Sequence, residues 1–398
     1  MPSPKNRSQN PTVSIIVPTR ERAAYLPHCI RTCLENPEKT LEVLVLDNAS
    51  ADNTQDVVRA FDDTRVRYER SSIRLSMRDN FERGLELSRG EIVCFIGDDD
   101  GILPNAIQRV LEIFQTCDVQ AVSAARIHYF WPDLLASRRN SALVPRKSGV
   151  SILQSKTELK GLLRHSDYYQ LPCLYHGFVR REIIEQIKAN QGRVFFSSQV
   201  DMYSALALSM EDIPYAFSRA PLVINGASKR SNGASHFGGG AEAEKALWKK
   251  EDDLGFLKGF SNCQFVGSLI VESALRYGSA NDVNLSDILD MNDVRRTLAK
   301  ECSLRKRANT QYEDDDALWC AVGLSRNELD RPFREPLKVG RLIRKFLDYY
   351  PVSLSGLGIE NVFQAALHLN GLVRECKTIA FRNHPVRQMA DAVRIART

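Results

Sequence analysis

The chain has 398 residues, 43% of them hydrophobic and 26% charged, with a formal net charge of +5. This fits a globular α/β domain with a second, smaller unit, and so mild a charge gives no ground for a nucleic-acid partner; none is expected. Nine scattered cysteines form no CxxC pair and no Cys/His metal spacing, which argues against a disulfide framework or a zinc module and predicts a reduced, intracellular setting.

Residues 1–11 are polar and proline-punctuated and are expected to be disordered. They lack the apolar core of a secretory signal, and no stretch reaches the ~20 apolar residues of a membrane span. A cytoplasmic location is expected, with peripheral contact at the inner face of a membrane left open.

Apolar runs then alternate with amphipathic segments. Val13–Val17, Leu41–Leu46, Val66–Tyr68 and Ile92–Ile96 read as strands; Ala23–Leu34, Thr54–Phe61 and Phe81–Leu87 read as helices between them. Near-continuous apolar strands separated by helices predict an α/β fold with a mainly parallel sheet covered on both faces. In such sheets ligands bind beyond the carboxyl ends of the strands. There the chain places Pro18-Thr19-Arg20-Glu21, Asp47-Asn48-Ala49-Ser50 and Gly97-Asp98-Asp99-Asp100.

Further on, Pro104–Phe114 reads as a helix with proline in its first turn, residues 121–129 as a strand, and 179–190 and 201–210 as helices. The Gly/Ser/Asn-rich stretch 225–240 reads as a loop and a domain boundary. From 241 to 398 helical patterns dominate, for instance 337–349 and 361–373. The tail from Lys338 carries ten Lys/Arg and four Asp/Glu. Lys338, Arg341, Arg344 and Lys345 alternate with apolar residues there, a pattern suited to internal packing, to a homo-oligomer contact or to docking on an anionic membrane.

Three consecutive aspartates after a buried strand raise one another's pKa, and a divalent cation relieves that cost. Magnesium and manganese prefer carboxylate oxygens and bridge to phosphates. The plainer alternative is that the acids cap the helix that follows. An EF-hand is excluded, because a loop from Asp98 would put Leu103 at the turn-glycine position and Arg109 at the bidentate-glutamate position. No G-x-x-x-x-G-K-[ST] loop and no G-x-G-x-x-G after the first strand are present, which removes the main support for ATPase, kinase and dinucleotide-oxidoreductase readings.

Three ordered blocks carry a resemblance: Val13-Ser-Ile-Ile-Val-Pro-Thr-Arg20, Leu44-Val-Leu-Asp-Asn-Ala-Ser-Ala-Asp-Asn-Thr54, and Gly84-Leu-Glu-Leu-Ser-Arg-Gly-Glu-Ile-Val93 running into Gly97-Asp-Asp-Asp100. Together they resemble the family 2 glycosyltransferases of the GT-A fold over residues 12 to 130. The resemblance implies an inverting, metal-dependent transfer, with Mn2+ or Mg2+, from a nucleoside-diphosphate sugar, a UDP-sugar first among them. The acceptor it implies is a glycan or lipid-linked hydroxyl, in surface polysaccharide biosynthesis.

By the same resemblance Pro18, Thr19, Glu21, Asp47, Asn48, Arg78 and Asp98 would bind donor. Asp98, Asp99 and Asp100 would serve the metal, Asp99 foremost. Asp201 would be the general base, with Glu211 and Asp212 as substitutes; the alternative is that Asp201 caps its helix. Apart from the resemblance, a glycine-rich loop able to close over donor would let His236 reach phosphate or metal; the alternative is a solvated loop histidine. His165 and His176 read as acceptor-side or structural residues. Where relatives often carry two aspartates, the second block has Asn48, which both accepts and donates and leaves base preference open. Gly97 stands where many relatives have the first aspartate of the third block. Two rival classes share the fold, a sugar nucleotidyltransferase and a non-catalytic nucleotide-sugar or glycan-binding module.

Overall fold

A computed structural model describes residues 11–134, 139–165, 168–231, 252, 254–261, 263, 265–307, 315–324 and 348–380. Its centre is an eleven-stranded mixed sheet. β1 (Val13–Thr19) pairs in parallel with β2 (Leu41–Asp47) and β4 (Ile92–Phe95), and β2 pairs in parallel with β3 (Val66–Arg70). Alternate residues of these strands feed opposite faces, as the two-residue period of a strand requires. Ile16, Leu44, Leu46, Val93 and Phe95 enter one apolar cluster, and Val13, Ile15, Val17, Val43, Val45 and Cys94 enter the other.

Helices cover both faces. α1 (Leu26–Leu34), α2 (Thr54–Arg59) and α4 (Ala106–Thr116) send apolar residues to the second cluster; α3 (Met77–Leu87) packs on the first. α3 sits so close to the sheet that a Cβ on Gly84 would lie 3.0 Å from the Phe95 ring and 3.1 Å from Ile16. A larger residue there would push the helix off the strands.

Beyond β4 the sheet becomes mixed, an extension that the apolar runs alone did not predict. β5 (Gly101–Ile102), β6 (Ala121–Phe130), β7 (Ser141–Pro145), β8 (Val150–Gln154), β9 (Phe178–Arg180) and β10 (Pro214–Ala227) are joined by one parallel and several antiparallel pairings. β10 is the long member. It runs parallel to β6 and antiparallel to both β5 and β8, and its last residues lie where a loop was expected.

Short helices α5 (Ser155–Leu159) and α6 (Leu162–His165) follow β8, while α7 (Arg181–Gln191) and α8 (Val200–Met210) lie between β9 and β10. The C-terminal region is largely helical, as expected, with α9 (Val266–Asn281), α10 (Leu285–Ile288), α11 (Met291–Arg307) and α12 (Asp315–Ala321) packed on the α8 side. The chain then contributes to the opposite face. β11 (Tyr349–Ser353) pairs with β7, and Leu354, Val362, Ala365 and Leu369, the last three from α13 (Val362–Ala380), join the cluster formed by α1 and α4. The predicted helix 337–349 lies outside the described residues except for its end, where Tyr349 begins a strand. The boundary near 240 and the basic residues Lys338, Arg341, Arg344 and Lys345 also lie outside them.

Candidate active site

The carboxyl end of β4 delivers Gly97, Asp98, Asp99 and Asp100 to the line where the parallel strands meet the mixed half of the sheet, and all three aspartates are buried. Each carboxylate draws its partners from a different part of the chain. Asp98 accepts from the Thr19 hydroxyl at 2.7 Å and from the Arg22 guanidinium at 3.0 Å, both in the segment leaving β1. Asp99 accepts at Oδ2 from Ser228, 2.7 Å away, and from Ser231, just past β10. The Trp131 indole donates to the Asp99 carbonyl at 3.0 Å.

Asp100 accepts at Oδ2 from Tyr175, from His176 and from the Gly97 amide, at 2.8, 2.7 and 2.7 Å, and at Oδ1 from the Gly226 amide at 2.7 Å. Two glycines make this possible. A Cβ on Gly226 would fall 1.9 Å from the Asp99 carbonyl oxygen, and one on Gly97 would fall 2.7 Å from the Tyr175 hydroxyl. The glycine that replaces the expected first aspartate thus lets Tyr175 and Asp100 close over it; a side chain there would make them shift.

The three acids differ electrostatically because their surroundings differ. Burial pushes Asp99 up to about 6, against the pull of Arg22 and with the help of its acidic neighbours. Burial would also raise Asp100, but His176 and the hydrogen bonds from Tyr175 and Gly226 hold it below the ordinary carboxylate range. A buried carboxylate as reluctant to ionise as Asp99 is stabilised by any cation brought beside it. No group of three His, Cys, Asp or Glu side chains converges on one point among the described residues. Asp100 accepts four hydrogen bonds, three of them at Oδ2, and Asp98 accepts one at each oxygen, whereas among the described residues both bonds to the Asp99 side chain fall on Oδ2. A carboxylate offers about four acceptor sites, so all three expected metal residues keep some capacity for an ion, and Asp99 Oδ1 is the oxygen with no partner among the described residues; His236 lies outside the described residues.

The residues expected to bind donor gather at the same sheet edge, but most spend their polar atoms on shaping the loops. Pro18 and Thr19 close β1. Glu21, in a left-handed conformation with φ 55°, accepts from the Ala51 and Asp52 amides at 2.9 and 3.1 Å and from Arg74 at 2.6 Å. Asp47 accepts from the Ser50 amide at 2.9 Å and from Tyr68 at 2.5 Å. Asn48 makes a reciprocal pair with the Leu75 backbone, at 2.9 and 2.8 Å, and so pins the turn leading into α3. This leaves the amide one N–H donor and one acceptor site. Arg78 stands half-buried in the first turn of α3.

Asp201 lies in the first turn of α8, half-buried, and accepts from the Met202 amide at 2.9 Å and from the Tyr168 hydroxyl. Its substitutes Glu211 and Asp212 follow the far end of that helix, whose eleven residues span about 16 Å. His165 ends α6. His176, read from the sequence as acceptor-side or structural, proves to be a buried partner of Asp100 with φ 66°.

Sequence reasoning missed Arg22, Trp131, Gly226, Ser228 and Ser231. Arg22 had a signal, being next to Glu21 in the first block. The others had none, because they reach the site only through the pairing of β10 with β5 and β6.

Residues 14–187 match the profile of glycosyl transferase family 2. The GalNAc(5)-diNAcBac-PP-undecaprenol beta-1,3-glucosyltransferase of Campylobacter jejuni is 33% identical over 105 residues, covering 26% of this chain and 34% of that protein. An uncharacterized glycosyltransferase of Nostoc, alr2836, is 29% identical over 112 residues, covering 28% and 35%. The matched stretch thus spans about a third of these relatives' own length. Among solved structures, S. aureus TarS 1-349 in complex with UDP-GlcNAc aligns with a TM-score of 0.49 at 13% identity, over 74% of this chain and 73% of that one. The mannosyltransferase PcManGT of Pyrobaculum calidifontis, in complex with GDP-Man and Mn2+, aligns with a TM-score of 0.40 at 17% identity, over 82% and 89%.

Proposed function

We propose, from the match of residues 14–187 to glycosyl transferase family 2, that the protein is an inverting glycosyltransferase. It moves a sugar from a nucleoside-diphosphate sugar, a UDP-sugar first, to a hydroxyl of a glycan or lipid-linked acceptor in surface polysaccharide biosynthesis. The observation that carries this reading is the buried acidic cluster at the carboxyl edge of the parallel strands, with Asp99 pushed up to about 6 and one of its oxygens unengaged.

Donor would lie along the ends of β1 and β2, between Pro18, Thr19 and Glu21 on one side and Asp47, Asn48 and Arg78 on the other, with Asp98 beneath the ribose. The Asn48 amide spends one of its two N–H donors and one of its two acceptor sites on Leu75, and Asp47 is bonded at both oxygens, so Asp47 or Asn48 would meet the base edge with the capacity left. Asp99, through Oδ1, is the residue that would hold Mn2+ or Mg2+, while Asp98 and Asp100 position it. Bound there, a divalent cation supplies charge stabilisation to the departing diphosphate. Asp201 removes the proton of the acceptor hydroxyl as its oxygen attacks the anomeric carbon from the face opposite the leaving group.

The division into a catalytic unit over 12–240 and a helical region from 241 that serves acceptor, oligomer or membrane contacts is part of this proposal, as is a cytoplasmic location. No helix among the described residues is long and apolar enough to cross a membrane. A contact with an anionic membrane would rest on the basic residues from Lys338 to Lys345.

A panel of nucleotide sugars, each with and without Mn2+, tests the proposal. Release of nucleoside diphosphate by the unmodified chain and its loss in Asp99→Ala support it. Donor binding without release from any member would favour a non-catalytic module.

A further inference from the structure

Resting on the reading of Asp201 as base, a second feature concerns what holds that carboxylate in place. A string of buried and half-buried side chains runs from Asp201 to the acidic cluster. The Tyr168 hydroxyl donates to Oδ2 of Asp201. The rings of Tyr168 and Tyr169 lie 3.9 Å apart at 33°, and the Arg126 guanidinium covers the Tyr169 ring. Arg126 Nη1 is 3.2 Å from Nδ1 of His176, whose Nε2 is 2.7 Å from Asp100 Oδ2.

The chemistry of the donors fixes the direction of each bond. Arginine only donates, so Nδ1 of His176 is the acceptor and its proton sits on Nε2, pointing at Asp100. Burial and the Asp201 charge push the Tyr168 phenol well above its ordinary range, so it keeps its proton and remains a donor. A partner is not something every tyrosine hydroxyl finds in this core: those of Tyr129 and Tyr215 are buried without one.

We propose that Tyr168 is a positioning residue for the reaction. It holds the Asp201 carboxylate in one orientation and, through Tyr169, Arg126 and His176, ties that orientation to Asp100 on the loop that carries the acidic cluster. Base and leaving-group site are then referenced to each other through the protein interior, whether or not acceptor is bound. A base displaced by a fraction of an ångström loses much of its advantage, and this is what the string prevents.

Tyr168→Phe removes the hydroxyl and leaves the packed ring. Its kcat for nucleoside-diphosphate release should fall about ten- to a hundredfold, the scale of one hydrogen bond to a charged group, with an unchanged melting temperature and an unchanged KM for donor. In an Asp201→Asn background the same change should alter kcat less than about twofold, because the partner that Tyr168 positions is already lost. An equal fall in both backgrounds, or a raised donor KM, would mean a structural role and overturn the proposal. Unaltered kcat in Tyr168→Phe beside an impaired Asp201→Asn would overturn it while leaving the base assignment intact. Full activity in Asp201→Asn would overturn the base assignment and the positioning role together.

Discussion

The two halves of the sheet are built by different rules. In β1 to β4 each strand follows its predecessor through one helix and pairs in parallel, and all but the half-buried edge strand β3 are apolar on both faces, so their positions are written into their own residues. In the half formed by β5 to β11 the strands are short or irregular and pair over long stretches of chain: Ile224 lies opposite Gly101, and Tyr349 opposite Pro145. The acidic cluster stands on the seam. Asp98 takes its partners from the first half, whereas Asp99 and Asp100 take theirs chiefly from the second. The first half thus supplies the acidic cluster, while the second supplies the proposed base Asp201 and orients Asp99 and Asp100.

The harshest way to break this comparison is to remove the part of the second half that returns last. Ending the chain at residue 347 deletes β11 and α13 and with them Leu354, Val362, Ala365 and Leu369 from the cluster beneath β1, where all four are fully buried. Losing three large buried side chains, at about 2 to 5 kcal/mol each, matches the whole ~5–15 kcal/mol stability of a typical domain. Cooperative thermal unfolding should disappear. A truncated protein that melts like the full chain would show the two halves to be independent.

Next in size is Asp99→Ala, which should reduce nucleoside-diphosphate release about a hundred- to a thousandfold, the scale on which electrostatic stabilisers of a leaving group act, while circular dichroism remains native. Near-normal turnover would refute the metal assignment. Asp201→Asn should lose about a hundredfold in kcat at unchanged donor affinity measured by calorimetry. A collapse of donor affinity would instead put Asp201 in the donor pocket or the fold.

Gly226→Ala asks whether the second half orients the first. The added Cβ meets the Asp99 carbonyl at 1.9 Å, so β10 must move, at a cost of about 1 to 3 kcal/mol in denaturant unfolding and with loss of turnover. The contrast is Gly371, exposed on α13 with nothing within 4 Å of the added carbon. Gly371→Ala should stabilise by about 0.5 to 1 kcal/mol and leave turnover alone. If both changes behave alike, the close approach of β10 to Asp99 is not what holds the site.

The first four strands, their helices and the polar sheet edge were all legible in the sequence, because each apolar run is long enough to declare its own burial. The blocks around Pro18, Asp47 and Asp98–Asp100 were legible for the same reason, each sitting one step past such a run. What β8, β9, β10 and β11 would do could not be read locally. β8 is partly exposed, β9 has three residues, β10 hides its end in a Gly/Ser/Asn-rich stretch, and β11 follows a segment with helical periodicity. Their pairings depend on what the rest of the sheet leaves unpaired. Only tertiary structure could therefore bring Ser228, Ser231 and Trp131 to Asp99, or His176 and Gly226 to Asp100. The residue types at the site were fixed by sequence, but which oxygen of which aspartate stays open is decided by hydrogen bonds between segments more than a hundred residues apart.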